Sequence, residues 1–290
     1  MSRKNNNIPV NSMADDLSRG ISIEKLSIKS SDFKTPRQYE EATRSHRDEG
    51  HTFYIIEKGA ILIEIDFQQH RVTAPALVYM HPNQVHRILK FYNITVCSLS
   101  IHTENVNPPY LQLLEDINPV KPLVLMKDTY TTISDCFSFC LHLSTQKNNR
   151  LYHLLLKDGC NAFIGLAISA LLHQSEPSTR SSRAEVITQS FKQLLEKNYN
   201  SIKRPQAYAE KLNISTHYLN ESVKQVTGLP VSQHIQERII LEAKRLLFHT
   251  DKSIKEIAFD LGYEDYPYFS RLFSKATGIT AAAFRNKRHE

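Results

Sequence analysis

Two stretches near the C-terminus of this 290-residue chain are copies of one another, and this repeat restricts the fold more than any other feature. Ala209, Leu212 and Ile214 recur 49 residues later as Ala258, Leu261 and Tyr263. Leu219, Val223, Thr227 and Gly228 recur 50 residues later as Phe269, Phe273, Thr277 and Gly278, so the extra residue falls in the turn between. In each copy a small Ala lets two helices cross closely, and a Leu three residues on enters the core. Asn213 in one copy and Gly262 in the other supply a turn residue that tolerates left-handed φ. The second helix then presents apolar residues at i, i+3/i+4 and i+7. This is a helix-turn-helix pattern, present twice.

Local signals agree with two such hairpins on one long helix. RPQAYAEKLN (204–213) and STHYLNESVKQVTG (215–228) form the first pair, and VSQHIQERIILEAKRLLFHT (231–250) reads as the joining helix. SIKEIAFDLGYEDYPYFSRLFSKATG (253–278) is the second pair. Ser253 with Glu256 makes a capping box, Ser215 and Asp265 sit where N-caps belong, and Gly228 and Gly278 stand where helices stop. Upstream, VITQSFKQLLEKNY (186–199) is amphipathic. On the second helices, Leu219, Ser222, Val223 and Val226, and likewise Phe269, Leu272, Phe273 and Ala276, form the inward stripes. His217, Asn220, Glu221 and Lys224, and Pro267, Ser270, Arg271 and Ser274, lie opposite.

A major groove about 12 Å wide admits such a helix. Arg271 suits bidentate contact with guanine, Asn220 with adenine, and Glu221 accepts from a cytosine amino group. Helix N-termini at Ser215 and Asp265 offer N–H groups to phosphates, and Lys224, Lys275, Arg285, Lys287 and Arg288 add phosphate contacts. Charge points the same way. Residues 183–290 hold 17 Lys+Arg against 12 Asp+Glu, whereas residues 1–182 hold 19 against 18. The excess is C-terminal, as expected of the part that meets a polyanion.

The N-terminal half has a different texture. Residues 1–20 are polar and read as a disordered arm. From 21 to 107 short apolar runs suggest a β-barrel or sandwich. FYIIE (53–57) and ILIEIDF (61–67) flank Gly59 as a hairpin, followed by ALVYM (76–80), VHRILKF (85–91) and ITVCSLSI (94–101). After Pro108-Pro109 the spacing turns helical at 129–144 and 150–173. The segment 108–174 carries surplus apolar surface and is assigned to dimerisation. SEPSTRSSR (175–183) reads as a linker, leaving 184–290 as the DNA-binding domain. The fold class is therefore α+β.

The polar N-terminus carries no signal-peptide pattern, and the longest apolar run, FIGLAISALL (163–172), is too short to span a bilayer, so a cytoplasmic protein without membrane contact is expected. Cys97, Cys136, Cys140 and Cys160 form no CxxC pair and read as buried free thiols.

The run LNISTHYLNESVKQVTGLPVSQHIQERIILEAKRLLFHTDKSIKEIAFDLGYEDYPYFSRLFSKATGITAAAFR resembles the DNA-binding domain of the AraC/XylS family of bacterial transcription regulators. The resemblance spans roughly 190–285. It implies a rigid linking helix at 231–249, two recognition helices entering successive major-groove faces of one site, and base readers His217, Asn220, Glu221, Tyr268 and Arg271, with Ser270 beside them. Pro267, Glu221 and Ala281-Ala282 depart from the family's usual residues.

RSHRDEGHTFYIIEKGAILIEI and YMHPNQVHRI resemble, more weakly, the cupin-like sensing domain of many members. That implies either a small-molecule effector inside the barrel or a domain used mainly to dimerise. A homodimer is expected from the surplus apolar helix surface at 129–174, and some members of the family also touch RNA polymerase. Tyr54, Ile56, Ile63, Val78, Tyr79 and His86 are the pocket candidates. An enzyme of the metal-cupin type would need a tight His/Glu set, for which only His46, His51, His86 and Glu57 are available. A repair alkyltransferase would need a metal-bound reactive Cys. Neither is expected, and no metal or cofactor is assigned.

Overall fold

The computed structural model describes residues 7–11, 20–29, 32, 43–117, 121–173 and 182–286. Most of the expected arm 1–20 and of the linker 175–183 lies outside them. The chain divides into two units, one spanning Pro9–Pro177 and the other containing Ser178–Glu290.

The first unit is built on an antiparallel sheet in which β2 (Ile21–Ile28), β7 (His86–Ile101), β4 (His51–Ile65), β6 (Ala76–Met80) and β8 (Leu123–Val124) lie side by side in that order. β5 (Gln68–Thr73) pairs with the second half of β4. β1 (Val10–Asn11) and β3 (Arg47–Asp48) form a short parallel pair. Among the described residues the sheet ends in edges at β2 and β8, so they do not form the closed barrel expected from the sequence.

The expected hairpin at Gly59 is also absent. Residues 51–65 make one continuous strand, with register shifts against β7 around residues 56–60. Gly59 has φ 80°, and a Cβ there would run into the carbonyl oxygens of Tyr92 and Asn93. It serves a bulge that lets β7 approach closely, rather than a chain reversal. The reversal comes seven residues later at Asp66 and Phe67, with φ 47° and 69°, the paired positive values of a two-residue hairpin turn. The runs 85–91 and 94–101 likewise fuse into β7.

Strand alternation sends neighbouring side chains to opposite faces. Phe53, Ile55, Leu77, Tyr79, Cys97 and Leu99 enter one core, while Ile56, Ile63, Val78, Met80 and Ile94 enter another. The first is covered by α1 (Pro108–Asp116), α2 (Lys127–Ser144) and α3 (Tyr152–Leu172). The segment 108–174 thus completes this unit's core, and is not purely helical, since β8 adds to the sheet.

α3 has 21 residues and, among the described residues, is the one helix long and apolar enough to cross a membrane, longer than the apolar run suggests. It is a core helix, with 56% of its most apolar window buried and Phe163 packed edge-on against Phe53 and Phe137. Buried Asn161 ties it to the loop before α1, donating to the Asn105 carbonyl at 2.9 Å and accepting from the Asn107 amide at 2.7 Å.

The second unit contains α4 (Arg183–Asn198), α5 (Pro205–Lys211), α6 (Thr216–Thr227), α7 (Val231–His249), α8 (Ile254–Asp260), α9 (Tyr266–Thr277) and α10 (Ala281–Asn286) around a core of Phe191, Leu219, Val223, Ile239, Phe269 and Phe273. α4 starts earlier than expected. Ser182 and Glu185 form a reciprocal capping box that the sequence also carries. A chain of charges joins α7 to α4: Arg238 Nε donates to both oxygens of Glu196 at 2.9 and 2.8 Å. Arg238 Nη1 and Arg245 Nη1 donate to Glu242 at 3.2 and 2.9 Å. Arg238 also stacks on Tyr199, 3.8 Å from the ring centroid.

Candidate nucleic-acid interface and ligand cavity

The two helical hairpins are equivalent atom for atom at their turns. The Ile214 amide bonds to the Ala209 carbonyl at 3.1 Å, and the Tyr263 amide to the Ala258 carbonyl at 2.9 Å. Asn213 and Gly262 hold φ at 53° and 77°. Ser215 caps α6 by accepting from the Tyr218 amide at 3.1 Å, and Asp265 caps α9 by accepting from the Tyr268 amide at the same distance. At the far ends Gly228 and Gly278 are left-handed, and Thr227 and Thr277 each bond back to the carbonyl four residues earlier, at 2.7 and 2.8 Å. The expected box on α8 is present: Glu256 N to Ser253 Oγ is 3.2 Å and Ser253 N to Glu256 Oε2 is 2.6 Å.

α6 and α9 bury Leu219 and Val223, and Phe269 and Phe273, completely. Val226 and Ala276, expected to point inward, are exposed, because the stripe narrows toward each helix end. His217, Glu221 and Lys224 on α6, and Tyr268, Arg271 and Lys275 on α9, are exposed. Among the described residues no side-chain hydrogen bond or ion pair restrains His217, Glu221, Lys224, Arg271 or Lys275. Ser270 is half-buried. Tyr218 is 38% exposed and lies three residues before Glu221 on the same helix face. Helical spacing alone would have added it to the candidate readers.

Three expected contacts take another role. Asn220 is half-buried, and its Oδ1 accepts from the Val231 amide at 3.2 Å. Val231 opens α7, whose N-cap is Pro230, with no side-chain acceptor to offer, so Asn220 supplies one across the turn. A bidentate grip on adenine needs that oxygen. Arg285 turns into the protein, donating from Nε to the Leu247 carbonyl at 3.4 Å and from Nη2 to the Lys252 carbonyl. It therefore secures the end of α7 rather than facing a phosphate. Asp265 places a carboxylate at the N-terminus of α9, where it competes with a phosphate for the helix's positive end. Lys287 and Arg288 lie outside the described residues.

The N-terminal unit holds a cavity of about 610 Å³ on the second face of its sheet. Tyr54, Ile56, Ile63, Val78 and His86, five of the six expected residues, line it. Tyr79 does not, because it follows Val78 on the same strand and faces the opposite core. There its hydroxyl meets His51 Nδ1 at 2.8 Å. The set His46, His51, His86 and Glu57 is split the same way. Glu57 pairs with Lys25 at 2.7 Å and His51 with Tyr79, while His46 and His86 stay in the cavity wall with Asp48, which the sequence reading did not select. Burial holds the His86 imidazole down to about 4 despite the nearby Asp48 carboxylate, so the ring is neutral at pH 7. Burial, with His81 adding to it, does the same to His51.

A family model described as a helix-turn-helix domain matches residues 208–287, which takes in both hairpins and the helix between them. The C-terminal unit is an AraC-type helix-turn-helix domain. Among curated proteins the chain is 31% identical over 150 residues to the HTH-type transcriptional activator RhaR of Cronobacter sakazakii, covering 51% of each chain. It is 32% identical over 91 residues to the bifunctional transcriptional activator/DNA repair enzyme AdaA of Bacillus subtilis, covering 31% of this chain and 43% of that one. The chain thus spans about half, or less, of the length of these relatives. Among solved structures, the C-terminal domain of AraT, a response regulator from Geobacillus stearothermophilus, is 30% identical, with a TM-score of 0.35, over 37% of this chain and 88% of that one. ToxT from Vibrio cholerae O395 is 12% identical, with a TM-score of 0.41, over 92% of this chain and 97% of that one. Within the AraC-type domain, α6 and α9 are the second helices of the two helix-turn-helix units, with α7 between the units.

Proposed function

We propose that this chain is a transcription regulator that binds double-stranded DNA, reads two successive major-groove faces with α6 and α9, and answers to a small molecule held in the N-terminal cavity. The observation that carries the DNA reading is the twofold repetition of a capped helix whose outer face is polar and unrestrained. A helix that only braced the fold would have no need to repeat this face. His217 and Glu221 on α6 and Tyr268 and Arg271 on α9 are the base readers, with Tyr218 beside them. Lys224 and Lys275 take phosphates, joined by the backbone N–H groups at the start of α6. The cavity supports the effector part, since aliphatic and polar side chains line it in about equal number, and the polar ones, His46, Asp48, Tyr54 and His86 among them, can fix a ligand's orientation. Exposed Phe139, Leu151 and Leu154 on and beside α2 and α3 favour a homodimer.

An alkyl-transfer repair activity of the kind in AdaA's name is not proposed. The AdaA match covers only 91 residues, and burial pushes the Cys97 thiol up to about 12, far from a reactive thiolate.

The test is selection of bound sequences from random duplex DNA by the full chain, with affinity for the winner followed against salt. Two half-motifs about one helical turn apart, with a steep salt slope, are expected. Enrichment of a single short motif, or a slope near zero, would refute two-helix reading.

A further inference from the structure

The cavity's polar end has a geometry that its hydrogen bonds do not explain. His46 and Asp48 stand two apart on one strand segment, so they share a face. His86 is the cross-strand partner of His46, fixed by reciprocal amide–carbonyl bonds of 3.0 Å each way, and the two rings meet edge-on at 4.4 Å. His46 Nε2 lies 3.7 Å from Asp48 Oδ1, and His86 Nε2 lies 3.7 Å from Asp48 Oδ2. Both gaps exceed the roughly 2.7–3.2 Å of a good N–H···O bond. The carboxylate is therefore flanked by two imidazoles that it does not satisfy.

Two further observations point to a missing third party. His46 Nδ1 lies 2.8 Å from the Arg44 carbonyl, which can only accept. Nδ1 therefore carries a proton, and Nε2 is the ring nitrogen left facing Asp48. His86 is 4% exposed, and with the Gln84 backbone beside its ring its Nε2 is turned toward Asp48. The Tyr54 hydroxyl donates to Asp48 Oδ2 at 3.3 Å and orients the carboxylate. A histidine fixed by a backbone carbonyl, and a carboxylate held by a neighbouring hydroxyl, are the supports that metal ligands receive.

We propose that His46, Asp48 and His86 bind a divalent first-row transition-metal ion in the cavity wall. The ligand atoms lie within 4.8 Å of one another. Metal–ligand distances of about 2.0–2.2 Å place such atoms roughly 3–3.5 Å apart in a tetrahedral shell, so closure needs only a small contraction. Two imidazoles and one carboxylate favour zinc or its transition-metal neighbours over calcium or magnesium, which prefer all-oxygen sites. The proposal does not depend on the DNA reading.

The test uses the full chain, stripped with a chelator and dialysed, then titrated with Zn²⁺ by calorimetry and with Co²⁺ by visible absorption. One saturable ion per chain is expected. Asp48→Asn and His86→Gln should each weaken binding at least about tenfold. His173→Gln, which alters an exposed histidine, should leave it unchanged. Circular dichroism checks that each variant folds. If either buried variant does not, His46→Gln at a half-buried ring carries the same expectation. Absence of a one-to-one site in the unmodified chain, or a site that survives these substitutions, would overturn the proposal.

Discussion

On the proposed reading, Arg271 is the residue on which base recognition turns most directly. It is exposed, sits one helical turn into α9, and has the planar fork that pairs with guanine. Arg271→Ala should relax one position of the selected site and cost about 1–3 kcal/mol of discrimination there, measured by competition between single-base variants. Two glycines provide a contrast in stability. Gly228 and Gly262 have nearly the same positive φ, 78° and 77°. A Cβ on Gly228 meets nothing within 4 Å, whereas one on Gly262 collides with the Asn200 carbonyl oxygen. Gly228→Ala should therefore cost about 1 kcal/mol of backbone strain, and Gly262→Ala clearly more, as thermal melts of the two variants would show.

At the scale of the element, α7 decides how the two hairpins are held. Its Arg238 is 8% exposed and shared between Glu196 on α4 and Glu242 one turn along. Removing Arg238 leaves Glu196 without this partner and Glu242 still paired with Arg245. Arg238→Ala should cost about 3–5 kcal/mol, read from denaturant unfolding of the AraC-type domain. DNA affinity should fall with the folded fraction rather than through a lost contact. The network also explains why a helix with buried arginines and a buried glutamate still reads as amphipathic. Its charges face a neighbouring helix, a distinction that periodicity cannot make.

For the metal-free N-terminal unit as a whole, His51 and His86 set a pH dependence. Burial lowers both to about 4 in the folded state, below the roughly 6.5 of an unfolded chain. The unfolded chain then binds more protons across that window, so stability falls as pH drops from about 6.5 to 4. The loss should reach about 2 kcal/mol for each histidine by pH 5, seen as a falling melting temperature between pH 7 and pH 5. His51→Gln should remove about half of the slope. For the complete molecule the expected dimer is a mass-action question. A concentration-dependent molar mass by light scattering supports it, and a monomer at micromolar concentration refutes it.

The repeat Ala209–Gly228 and Ala258–Gly278 was enough by itself to give the paired helices of the AraC-type domain with their turns and caps. These features depend on contacts between residues close in sequence: a capping hydroxyl three residues from the amide it serves, or a left-handed residue at a turn. What the tertiary structure decided was long-range. Gly59 looks like a hairpin in isolation and becomes a bulge because β7 passes over it. Asn220 and Arg285 look like DNA contacts and are drawn inward because unpaired backbone groups at the two ends of α7 lie within their reach. Tyr79 leaves the cavity and Asp48 joins it because strand register, set by partners tens of residues away, fixes which face each side chain takes.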